Sequence, residues 1–191
     1  MLKDKNKITA FLSESFVTKD QWKNRKDLFN YASFILSNEE FLPEDIDTKQ
    51  TLKQKATFYK GAYEALDIIV KVAKISGDKV VCAGAFFDGT NYYNWKDRRK
   101  FAVYARLKKT IGIKQSALLN IEDDIVLLGD IVLGGFKYLS KISLFLKTAN
   151  ALIIPTHNME LIVFSDTLEN VKKLFCEVIA GTNWKIVESE S

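Results

Sequence analysis

Thr18 and Gln21 stand three residues apart, just ahead of a run in which Trp22, Leu28, Phe29, Ala32, Ile35 and Leu36 share one broad stripe. The spacing predicts a capped helix from about residue 18 to about Asn38. Pro43 marks a connection, and Asp47 with Gln50 offers the cap of a second helix. Along that helix Leu52, Ala56, Tyr59, Tyr63, Leu66, Val70 and Ala73 recur in alternating steps of four and three, up to a stop at Gly77. This is a heptad seam, and a heptad seam asks for a helical partner. The nearer partner is the preceding helix, which would give an antiparallel hairpin. The other is the same seam of a second copy, which would give a homodimer. Tyr59 and Tyr63 are bulky for a coiled-coil core, which favours the hairpin.

After Gly77 the pattern alternates. Residues 79–87 read as a strand, 96–109 as a helix and 136–148 as a helix. The stretch 117–128 is undecided, with Asn120 and Asp123 able to cap a short helix. Residues 151–154 and 161–164 read as strands joined by a turn at Pro155, Thr156, His157 and Asn158. Asp166 and Glu169 have capping-box spacing and open a helix to about Ala180, stopped at Gly181. Residues 184–187 form a last short strand. The pattern predicts an α+β fold in one domain over 1–191. A helical hairpin (about 1–77) packs on a mixed α/β portion (about 78–191) that holds a small sheet.

Composition supports a folded chain. Hydrophobic residues make up 47% and charged residues 27%, and only two prolines occur. A chain of this length buries roughly 70% of the surface its unfolded form exposes, so it needs no disulfide or metal staple. Cys82 and Cys176 lie far apart in apolar runs, and both are expected to be free, buried thiols in a reducing compartment, the cytoplasm. The N-terminal residues lead into no apolar h-region, so no secretory leader is expected. The longest apolar run, 125–136, is split by Asp130 and falls short of the roughly 20 residues of a membrane helix, so no membrane partner is expected. The net charge of +4, from 28 basic and 24 acidic residues, is too small to imply a polyanionic partner by itself.

Four groups of residues bear on chemistry. Phe86-Phe87-Asp88-Gly89-Thr90, after an apolar run, resembles the end of the haloacid-dehalogenase signature. In that superfamily the first aspartate of Asp-x-Asp-Gly-Thr is the nucleophile, and Phe86 stands in its place. A phenyl ring neither attacks phosphorus nor binds magnesium, so Asp88-Gly89 reads better as a tight turn. Glu122, Asp123, Asp124 and Asp130 form an acidic group that would hold a cation or divide acid and base work if the carboxylates converged. His157, the single histidine, is the simplest candidate for a general base, with Thr156 and Asn158 beside it. The decisive question is whether His157 shares a pocket with Asp88, Glu122, Asp123 and Asp124. Gly134-Gly135, read ahead of a helix, would make a weak anion cradle. The sequence has no nucleophile elbow, zincin, dinucleotide or P-loop motif, and no cofactor or metal is expected.

The fourth group is the most informative. Lys96, Arg98, Arg99, Lys100, Arg106, Lys108 and Lys109 face one acid, Asp97. At about 100° per residue, Arg98, Arg99, Arg106 and Lys109 fall in one arc, opposite Phe101, Val103, Tyr104 and Leu107. Tyr92, Tyr93 and Trp95 precede them. Arginine, tyrosine and tryptophan are favoured interface anchors, and arginine beside aromatics also suits phosphate and base contact. The expected function is a non-catalytic binding protein that docks another macromolecule. Small bacterial immunity proteins against toxins exemplify that class by analogy. The alternatives are an enzyme using His157 with nearby acids, and a nucleic-acid-associated protein using the 96–109 face.

Overall fold

The computed structural model describes residues 1–13, 16, 33–38, 40, 51–85, 106–107, 109–110, 116–136 and 142–188. Its elements, in chain order, are α1 (Lys5–Leu12), β1 (Ser33–Ser37), α2 (Leu52–Ser76), β2 (Val80–Ala85), β3 (Ser116–Asn120), α3 (Ile125–Phe136), β4 (Ile142–Leu146), β5 (Ala151–Pro155), β6 (Leu161–Phe164), α4 (Leu168–Ile179) and β7 (Lys185–Glu188). The strands form one seven-stranded antiparallel sheet in the order β3-β2-β4-β5-β6-β1-β7. The fold is α+β, as the pattern predicts, but the sheet is large rather than small.

Alternation along the strands sorts side chains onto two faces. Phe34, Leu36, Val81, Ala83, Ala117, Leu119, Leu144, Leu146, Ile153, Leu161 and Val163 enter the main core, which α2, α3 and α4 close. Cys82, Phe145, Leu152, Ile154 and Phe164 point the other way and pack with Ile8 and Leu12 of α1. Strands β4 and β5 are buried at every position, as expected of strands covered on both faces. That double burial explains a misreading. The 136–148 stretch lacks alternation because both of its faces are apolar, so it resembles a helix, yet residues 142–146 are the strand β4.

The first third departs from the predicted hairpin. Ser33–Ser37 is a strand, paired with β6 on one side and β7 on the other. Phe34 and Leu36 alternate with Ser33, Ile35 and Ser37, and tertiary pairing overrides the helical reading of Ile35 and Leu36. The remainder of that predicted helix, 18–32, lies outside the described residues, as do Pro43, Asp47 and Gln50. Helix α2 starts at Leu52 under a capping box in which Thr51 Oγ1 accepts from Gln54 N–H (3.2 Å) and Gln54 Oε1 accepts from Thr51 N–H (2.7 Å). It ends on Gly77 at φ 82°, the left-handed cap that glycine adopts without a Cβ penalty. Its partners among the described elements are α3, α4 and the sheet.

Only part of the heptad seam is core. Leu66 and Ala73 are buried, whereas Leu52 is 86% and Tyr63 70% exposed. The buried face of α2 runs through Gly61, Ala62, Ala65, Leu66, Ile68, Ile69, Val72 and Ala73. Helix α4 starts at Leu168 without the predicted cap: Asp166 instead accepts from Asn150 Nδ2, which also donates to Thr167 Oγ1 at 2.9 Å.

Candidate functional site

The sheet topology decides whether the polar candidates meet. Strands β3, β4 and β6 all finish at one edge of the sheet, where α2 hands over to β2. The turn carrying Glu122, Asp123 and Asp124 follows β3 at that edge. His157 lies in the turn between β5 and β6, at the opposite edge. A five-residue strand spans about 17 Å, and β3 and β5 stand three strand spacings apart, about 14 Å. His157 is exposed, and its turn is closed by Thr156 N–H donating to Glu160 O at 2.9 Å. The structure therefore does not bring His157 to the acids. Asp88, with the rest of 86–90, lies outside the described residues.

The acids themselves disperse. Asp124 accepts from Asn120 N–H (2.9 Å) and pairs with the N-terminal ammonium of Met1 (2.7 Å). Glu122 faces Lys74 at 3.9 Å. Asn120 Oδ1 accepts from the N–H groups of Glu122 and Asp123, an Asx turn that bridges β3 to α3. Among the described residues, no group of three histidine, cysteine, aspartate or glutamate side chains could hold a metal ion. Gly134-Gly135 sits in the last turn of α3 rather than ahead of a helix. Gly135 serves close packing: a Cβ there would lie 2.6 Å from Pro155 Cβ and 2.7 Å from Pro155 O.

Asp130 belongs with the basic segment. Its buried carboxylate accepts from Arg106 Nε (2.6 Å) and Nη2 (2.5 Å), a bidentate pair. The bond and charge of Asp130 push the Arg106 guanidinium further toward its charged form. Leu107 is 3% exposed and Lys109 is exposed, so the described end of the segment has an apolar inner side and a basic outer side. Arg106, read from sequence as part of the basic face, is 53% exposed and at the same time clasps α3 through Asp130. Tyr92, Tyr93, Trp95, Arg98 and Arg99 lie outside the described residues.

Sequence reasoning missed the exposed stripe at the start of α2. None of the residues from Leu52 to Lys60 is buried, and Tyr59 is 40% exposed. The heptad period was the available signal, and it registered a stripe without telling core from surface. The two thiols also divide. Cys82 is buried, and burial pushes its pKa up to about 12. Cys176 is exposed, because it falls on the outer side of α4 while Val171, Phe175, Val178 and Ile179 fill the inner side.

Among the described residues no helix is long and apolar enough to cross a membrane. No family model, curated protein or solved structure matches the chain.

Proposed function

We propose that this chain is a non-catalytic binding protein that docks another protein bearing an acidic surface. Small bacterial immunity proteins, which act by docking alone, remain the analogy. The observation that carries the reading is the division of the basic segment into a buried Leu107 and an exposed Lys109, with Arg106 clasped to Asp130. That clasp fastens the described end of the segment to α3, and Lys109 beside it is exposed. The dispersal of His157 and the acids favours docking over the enzyme alternative.

The test is a photo-reactive residue placed at Lys109 in living cells. The expected product is an adduct with a second protein that survives nuclease treatment and is lost in an Arg98→Glu, Arg99→Glu variant. A nuclease-sensitive adduct would establish the nucleic-acid alternative instead. Its formation would also weaken steeply with salt, because phosphate contacts release counterions. No adduct at all would make this a solvated helix face.

A further inference from the structure

We draw no further inference here: the strongest candidate, the row of small residues Ser116, Gly84 and Ser143 across β3, β2 and β4 with the buried, unpartnered Ser143 hydroxyl, carries nothing, because among the described residues nothing shows what covers it.

Discussion

Asp78 holds the junction between α2 and the sheet. It is 7% exposed, and three donors converge on its carboxylate: Thr148 N–H on Oδ1 (2.8 Å), Ala149 N–H on Oδ2 (2.8 Å) and Ser76 Oγ on Oδ2 (2.9 Å). It thus ties the end of α2 to the turn between β4 and β5, about 70 residues away in sequence. Asp78→Ala removes all three acceptor contacts. The Thr148 N–H belongs to an exposed residue and regains water, whereas the Ala149 N–H belongs to a buried one and stays unpaired. An unpaired buried donor costs about 1–3 kcal/mol and a lost charge-assisted bond about 1.5–3 kcal/mol, with overlap between them. The expected loss is about 3 kcal/mol. Asp78→Asn keeps one acceptor and aims an NH₂ at a donor, so it should fall between alanine and wild type. Ser76→Ala should cost only about 1 kcal/mol, because that hydroxyl also bonds the carbonyls of Val72 and Ala73. Urea unfolding followed by circular dichroism measures all three. A loss below about 0.5 kcal/mol for Asp78→Ala, the range of an ordinary surface change, would refute this account of the junction.

Other substitutions test the packing and the clasp. Gly135→Ala should destabilise by several kcal/mol, since its Cβ meets backbone atoms of Pro155. Gly129→Ala, whose Cβ meets only the movable Leu66 Cδ2 at 3.3 Å, should be neutral or stabilising by up to about 1 kcal/mol through helix propensity. Thermal melts that rank the two glycines the other way would refute the close approach of α3 to β5. Arg106→Ala leaves the buried Asp130 carboxylate without its cation and should cost about 1–3 kcal/mol, discounted because Arg106 is half exposed. Asp130→Asn leaves a guanidinium that water can solvate and should cost less; chemical denaturation giving the opposite order would contradict the clasp. Cys176 should label with a thiol reagent in the native state at the rate of a free thiol, and Cys82 only on unfolding. Because folded Cys82 keeps its proton to about pH 12 while the unfolded thiol loses it near 9.0, stability should fall between those values, by about 1.4 kcal/mol per pH unit. Titration of stability in Cys82→Ala, lacking that slope, checks the assignment.

The α+β class was legible because short apolar runs and one long periodic helix are local signals. The stop at Gly77, strands β2, β5 and β6, and the turn before Leu161 all follow from residue types at fixed offsets. The parts that could not be read depend on partners distant in the chain. Ser33–Ser37 becomes a strand only because β6 and β7 lie on either side of it, more than 120 residues later. The 142–146 strand lost its alternation because α1 covers its second face. At the candidate site, the exposure of Lys109 and burial of Leu107 follow from the amphipathic arc. The Arg106–Asp130 pair does not, since nothing local distinguishes a clasp from a solvated arginine. The distance between His157 and the acids is a property of strand order, which sequence spacing does not encode.

The measurement closest to the central claim is the amount of cross-linked complex recovered from cells through the photo-reactive residue at Lys109. It compares the otherwise unaltered chain with two further variants, one carrying His157→Ala, Glu122→Ala and Asp123→Ala, the other Arg98→Glu and Arg99→Glu. Docking through the basic segment predicts full recovery from the first variant and loss from the second, with both variants folded by circular dichroism. Loss from the first variant together with full recovery from the second would contradict the account and return His157 and the acids to the centre of the function.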